Sequence, residues 1–415
     1  MEDDYRYDNY PQAEEKRSYR RGFLCGILAA LFIALAALLV YTVLHMDLSG
    51  QNGSSQEALV GSSQVKKKTQ LLKALIDKYY LDEAEESDLV DGMYAGLISG
   101  LDDPYSVYYT EEEYEQMMES TSGTYAGIGA LMSQNMETGL ITITRPFDGS
   151  PAQEAGLQAG DILVAVDGEE IQGEDLSTIV ARIKGEPGTD VQLTLNRDGN
   201  SFDVTVTRDT IEVTTVSGKM LDEKTGYIAI LEFDEVTTDQ FRNTLTELKN
   251  EGMEQLIVDL RDNPGGNLDV VTDILDEILP EGLIVYTEDK YGNRSEITSD
   301  AEHCLEMPMA VLVNGNSASA SEIFAGAIRD YDWGILVGTT TFGKGIVQRL
   351  FDLGDGTAVK LTISKYYTPS GQNIHGVGIE PDVEVELPED AYEDGIVTEE
   401  EDTQLQKALE ILEGN

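Results

Sequence analysis

The stretch that decides the fold reads VLVNGNSASASEIFAGAI, residues 311 to 328, and it is answered by GTTTFGKGIVQ, residues 338 to 348. Val311 to Val313 form a short apolar run, the pattern of a buried strand. A Gly/Asn/Ser turn follows, and a helix is expected to start near Ser321. A serine on such a turn stands at the head of a helix. Free backbone N–H groups and the positive dipole end there favour developing negative charge. In the second segment Lys344 lies between Gly343 and Gly345, with Gln348 four residues on. Residues i and i+4 share one side of a strand and nearly one side of a helix, so Lys344 and Gln348 can point into one site. Ile346 and Val347 favour the strand.

These residues suggest a serine nucleophile with a lysine base. A free lysine has a pKa of roughly 10.4 and is protonated at neutral pH. Burial lowers that value, and flanking glycines let backbone close around the amine. A neutral lysine can then take the hydroxyl proton, with Gln348 holding the amine in place. A histidine base is harder to arrange: the chain has only His45, His303 and His375, none in a local hydrolase motif. The plain structural alternative is that Ser319 to Glu322 is a capping box and Lys344 a solvated lysine.

Taken together, NSASASEIFAGAI and GKGIVQ resemble the active-site pair of the carboxyl-terminal processing proteases, also called tail-specific proteases, peptidase family S41. The resemblance runs from about Val65 to Asn415. It implies Ser319 as nucleophile, Lys344 as general base and Gln348 as the residue that orients it. It also implies a crotonase/ClpP-like α/β serine protease core. LIVDLRDNPGG (256 to 266) reads as a buried strand ending in a sharp glycine turn. In the family this box lies beside the nucleophile, which implies an oxyanion hole from Gly265 or Gly266 together with Ala320. Arg261 and Asp262 are expected to pair with each other.

Composition narrows the partners. The 415 residues carry 78 acidic against 28 basic side chains, a net charge of −50. Nucleic acid is thereby excluded as a partner, because phosphate binding needs basic surface. There is no H-E-x-x-H and no clustered Cys/His set, so neither a metal nor another cofactor is implied. Residues 1–21 are polar and end in a basic cluster, and Gly22 to Leu44 is almost wholly apolar. That length spans a bilayer, so an uncleaved signal-anchor helix is expected, with a cytoplasmic N-terminus and an exported bacterial body; the alternative is a cleaved signal peptide. Cys25 lies in this run and Cys304 is alone in the body, so no disulfide forms within the body.

The remaining chain divides by pattern into a multidomain α+β protein. Residues 45–64 read as a linker and 65–123 as a helical region, with Leu71, Leu72, Leu75, Ile76 and Tyr79 at near-helical spacing and a second helix at about 86–99. LDDPYSVYYTEEEYEQ (101–116) resembles a family box, and scaffolding or a homodimer contact is expected of it. Residues 124–209 alternate as a β-rich unit that resembles a PDZ domain. Gly127, Ile128 and Gly129 match the loop whose N–H groups hold a peptide carboxylate while the peptide adds a strand. Where the family has arginine in this domain's RG-x-x-GT box, this chain has Lys184. Residues 210–387 carry apolar strands separated by helices, which implies a largely parallel, two-sided core. Residues 388–415 are an acidic segment and a short helix docking back. The reading is a membrane-anchored, extracytoplasmic serine endopeptidase that takes protein or peptide substrates by an accessible C-terminus. The alternative is an exported PDZ binding protein or inactive adaptor on a protease fold.

Overall fold

The computed structural model describes residues 61–300, 302–388 and 397–414. The expected anchor, 22–44, and most of the linker lie outside them. Among the described residues no helix is long and apolar enough to cross a membrane. Helix α1 (Ser63–Tyr79) belongs to a separate N-terminal unit that ends at Glu85. It is capped by the Ser62 hydroxyl, which accepts the Val65 N–H at 3.3 Å.

The body begins with α2 (Glu86–Ser99), β1 (Val107–Tyr109) and α3 (Glu111–Ser122). Thr110 and Glu113 close a capping box at the head of α3, with hydrogen bonds of 3.0 and 3.3 Å, as their spacing predicts. A β-rich unit follows: β2 (Thr124–Gly127), β3 (Ala130–Gln134), β4 (Ile141–Pro146), α4 (Pro151–Glu154), β5 (Ile162–Val166), β6 (Glu169–Glu170), α5 (Leu176–Ile183), β7 (Asp190–Arg197), β8 (Asn200–Thr207) and β9 (Asp209–Glu212). Its main sheet has the order β3-β4-β5-β7-β8, so β3 is an edge strand. The alternation at its carboxyl end folds as the β7–β8 hairpin. Helix α5 was not anticipated; Asp175 caps it by accepting the Thr178 N–H at 2.9 Å.

The third part contains β10 (Val216–Met220), β11 (Thr225–Ile230), α6 (Thr237–Glu251), β12 (Gln255–Asp259), α7 (Leu268–Asp276), β13 (Gly282–Asp289), β14 (Arg294–Ser299), β15 (Met309–Val313), α8 (Ala320–Asp330), β16 (Ile335–Gly338), β17 (Ile346–Asp352), β18 (Ala358–Tyr367), β19 (Val383–Glu384) and α9 (Thr403–Glu413). One sheet runs β10-β11-β12-β15-β16-β19 and is parallel from β11 onward. Successive residues of its central strands alternate between two cores. Leu256, Val258, Val311 and Val313 share a core with residues of α6, α7 and α8, whereas Ile257, Ala310, Leu312 and Val337 share one with residues of α9. Both faces are thus covered, which is why these strands read as continuous apolar runs. A second sheet joins β17, β13 and β1 to the long strand β18, with β14 on β13. Through β1 the 101–116 segment is stitched onto the protease core.

Arg261 does not pair with Asp262. It follows β12 and reaches Asp259 at 2.6 Å and Asp402 at 2.8 Å, with Gln404 at 3.0 Å. Asp402 caps α9, so this buried guanidinium clasps the C-terminal helix to the sheet. Asp262 instead accepts from the amides of Asn314 and Asn316 at 2.9 and 2.8 Å. Arg261→Ala leaves two largely buried carboxylates without their cation and is expected to cost about 3–5 kcal/mol. Chemical denaturation measures the loss. Arg261→Lys should recover little of it, because one ammonium cannot replace the planar fork.

Candidate active site

Strands β12 and β15 are parallel neighbours, and the turns leaving their carboxyl ends meet. This is the edge of an open parallel sheet where ligand crevices form. Ser319 is in the turn after β15, with φ 55° and ψ −110°. A non-glycine residue seldom takes this conformation, and such strain persists where the surroundings over-determine it. Here they do so on three sides. The Ala318 N–H donates to the Asn263 carbonyl at 3.0 Å, the Tyr366 hydroxyl donates to the Ser319 carbonyl at 3.0 Å, and the Ser319 N–H donates to Glu322 at 2.9 Å.

The three serines of SASAS have different fates. Ser317 is fully buried and its hydroxyl donates to the Leu260 carbonyl at 2.8 Å. Ser321 is fully buried and donates to the Asn263 carbonyl at 3.0 Å. Ser319 is half-buried, and its hydroxyl donates no hydrogen bond; it only faces the Glu322 N–H as the acceptor of a capping box. It is the one hydroxyl of the three left available for chemistry.

Gly265 lies directly against this turn. A Cβ placed on it would meet the Ser319 Cβ at 2.8 Å and the Ala320 nitrogen at 2.9 Å. Its φ of 108° excludes a side chain on conformational grounds as well. The fully buried Asn263 holds this loop, donating to the Ile230 carbonyl and accepting the Gly265 N–H, each at 2.8 Å. The Gly265 N–H is therefore spent. Gly266 is exposed, and neither its N–H nor that of Ala320 donates a hydrogen bond. Of the two glycines, Gly266 is the one with a donor to offer.

Glu322, which the sequence marks only as a capping residue, is fully buried and accepts four hydrogen bonds. One oxygen takes the Thr341 hydroxyl at 2.6 Å and the Gly343 N–H at 2.7 Å. The other takes the Ser319 N–H at 2.9 Å and the Lys344 N–H at 2.8 Å. The loop carrying Lys344 is also closed by backbone: a Cβ on Gly345 would meet the His375 nitrogen at 2.6 Å. Burial holds the Lys344 amine below the usual lysine range, and the Lys360 charge lowers it further, while Glu322 and Asp103 act in the opposite sense. Its Nζ sits 4.8 Å from the centre of the Tyr105 ring. Asp103 and Tyr105 come from the segment expected only to scaffold, and no local pattern could have linked them to Lys344.

Lys344 lies before β17, so strand alternation does not carry it to the side of Gln348. Gln348 follows a register shift in the β17–β18 pairing and donates to Thr362 at 3.4 Å. No hydrogen bond joins Lys344 to Gln348 or to Ser319 in the structure. His375 is exposed, and His303 lies 3.8 Å from Asp300 on the surface. Folding brings Asp276, Asp300 and His303 together, with ligand atoms within 4.8 Å of one another. Asp276 already accepts the Asp300 N–H there at 2.6 Å.

Gly127 ends β2, Ile128 and Gly129 connect it to β3, and all three line a cavity of ≈ 420 Å³ beside the free edge of β3 and the helix α5. The N–H groups of Ile128 and Gly129 donate no hydrogen bond. An edge strand, a facing helix and free N–H groups at one end suit an added peptide strand that ends in a carboxylate. Lys184, at the end of α5, bonds Glu119 of α3 and lies 5.2 Å from the centre of the Tyr125 ring.

Comparison with known proteins gives three family matches: Peptidase family S41 over residues 224–385, the PDZ domain over 142–197, and the activating protease CtpB N-terminal domain over 33–113. The carboxy-terminal processing protease CtpA of Bacillus subtilis is 36% identical over 362 residues, covering 86% of this chain and 77% of that protein. The carboxyl-terminal-processing protease of Synechocystis sp. is 37% identical over 324 residues, covering 77% of this chain and 75% of that protein. A solved structure, the photosystem II D1 C-terminal processing protease, aligns at 28% identity with a TM-score of 0.45, covering 79% of this chain and 89% of that one. The chain belongs to peptidase family S41 and is a carboxyl-terminal processing serine protease with a PDZ domain.

Proposed function

We propose that Ser319 and Lys344 form the catalytic pair of a membrane-anchored, extracytoplasmic endopeptidase, and that Gly127 to Gly129 receive the carboxylate of the substrate's tail. The observation that carries this is the single free hydroxyl of Ser319 on a strained turn, tied by one buried carboxylate to the loop of a desolvated lysine. The anchor and the location rest on the apolar run 22–44 and its basic flank.

The Ser319 hydroxyl attacks the scissile carbonyl carbon as its proton passes to neutral Lys344. The oxyanion takes hydrogen bonds from Gly266 and Ala320, donors worth roughly 3 kcal/mol each in the transition state. The tetrahedral intermediate collapses, the C–N bond breaks, and Lys344 returns the proton to the departing amine. Water then attacks the acyl-enzyme, gives a proton to Lys344, and releases the new carboxyl terminus with Ser319 restored. The amine and hydroxyl are not hydrogen-bonded before substrate binds, and catalytic hydrogen bonds of this kind tighten in the substrate complex. Gln348 would have to leave Thr362 to guide the amine. A unit that binds the tail raises the local concentration of the chain to be cut.

Ser319→Ala should abolish cleavage of an unstructured protein with an apolar C-terminus, by roughly 10⁴-fold or more, as followed by mass spectrometry. Undiminished cleavage would place the active site elsewhere. The neutral amine is the active form, so kcat/KM should rise with pH, centred below the ordinary lysine value of 10.5 because burial and Lys360 lower Lys344. Lys360→Met removes a like charge and raises Lys344, so the rise should move to higher pH. A pH profile unchanged by that substitution would exclude the coupling. Glu322→Gln keeps the volume but exchanges an acceptor oxygen for a donor. It should misplace Ser319 and Lys344 together and lower kcat about 10–100-fold, with KM little altered.

A further inference from the structure

The cavity beside β3 has a wall that the PDZ unit does not supply. Glu232 and Asp234, which follow β11 in the protease body, line it together with Glu119 of α3. Asp234 is only 6% exposed, yet its carboxylate has no hydrogen bond and no ion pair. Its backbone is satisfied separately: the N–H donates to the Thr237 hydroxyl at 3.0 Å, and the carbonyl accepts the Thr237 N–H at 2.9 Å. The Glu232 carboxylate is half-buried and also without a partner. Lys184 is the one cation on the described walls, and it is already committed to Glu119.

A desolvated carboxylate without a partner is costly, and two side by side cost more. The strain registers in both groups. Burial and the Glu232 charge push Asp234 up to about 6, and burial raises Glu232. The many solvated carboxylates elsewhere on this acidic chain pay no such cost. In the same cavity the free N–H groups of Ile128 and Gly129 suit an anion. The groove therefore lacks a negative charge at the free N–H groups and a positive one at the carboxylates.

We propose that the groove selects substrate tails bearing a lysine or arginine close to the C-terminus, with the α-carboxylate on the Ile128–Gly129 N–H groups and the cationic side chain between Asp234 and Glu232. This rests on the tail-binding reading above and adds the class of tail. The body thereby reads the sequence of the peptide that the PDZ unit holds. Asp234 and Glu232 are specificity residues in this scheme and touch no reacting atom.

The test uses the full chain carrying Ser319→Ala and labelled ten-residue peptides with an apolar last residue. Lysine is scanned through the five preceding positions against glutamine, and binding is read by fluorescence anisotropy. At one position or more, lysine should bind about tenfold tighter than glutamine. Asp234→Asn combined with Glu232→Gln should bring the two peptides within about twofold of each other. Lysine and glutamine equal at every position would overturn the inference, as would a lysine preference that survives the double substitution. The first comparison needs no groove variant, so it stands even if the double variant misfolds. C-terminally amidated peptides separate the two levels. Loss of binding on amidation with no lysine preference sinks this inference alone, whereas equal binding of amide and acid sinks the tail-binding reading and this inference with it.

Discussion

The buried carboxylate of Glu322 is the constraint on which the site depends. Taking a carboxylate out of water costs several kcal/mol unless donors replace the lost solvation. Four donors do so here, and three of them are backbone N–H groups from two distant loops. The α8 turn and the 341–344 loop therefore cannot move apart without leaving charge or donors unpaired. The glutamate also accepts the N–H of Ser319, which helps to hold that residue in a conformation it would not adopt alone. A residue that reads as an ordinary helix cap thus fixes the relative position of Ser319 and the Lys344 loop.

The sheet supplies the second half of this arrangement. Parallel pairing of β12 with β15 delivers two loops to one edge, and Asn263 locks them together. Its side chain bridges Ile230 and Gly265, while its carbonyl receives both the Ala318 N–H and the Ser321 hydroxyl. Because the Gly265 donor is consumed in building this contact, the free donor is displaced by one residue to exposed Gly266. Adjacent glycines thereby differ: the Gly265 N–H is tied into the loop and the Gly266 N–H is left free.

Much of this was legible in the chain, and what was not has a common cause. The strand–turn–helix at 311–328, the capping box at Thr110, the β7–β8 hairpin, the two-sided parallel core and the docking of the last helix all follow from local pattern or apolar periodicity. The errors concern partners far apart in sequence. Arg261 pairs across the fold with Asp402, not with adjacent Asp262, because Asp262 turns outward to Asn314 and Asn316. The spacing that lets Lys344 and Gln348 share one side of a strand or helix does not act here, because β17 begins only at Ile346 and a register shift precedes Gln348. Tyr105 reaches Lys344 because β1 joins β18, a pairing that periodicity cannot assign.

Lys344 shows how an amine can be held below the usual lysine range without a dedicated partner side chain. The backbone of 375–378 occupies the space where side chains at 343 and 345 would stand. Its own N–H is held by Glu322, and its amine rests against an aromatic ring. Backbone closure and an aromatic neighbour both remove water, which disfavours the ammonium form. The Glu322 and Asp103 charges favour that form, so they must act through a balance that burial and Lys360 win. The acidic character of the chain as a whole works against a neutral lysine. The lowered Lys344 amine therefore depends on excluding water locally, and Gly343 and Gly345 are what permit the backbone to close around it.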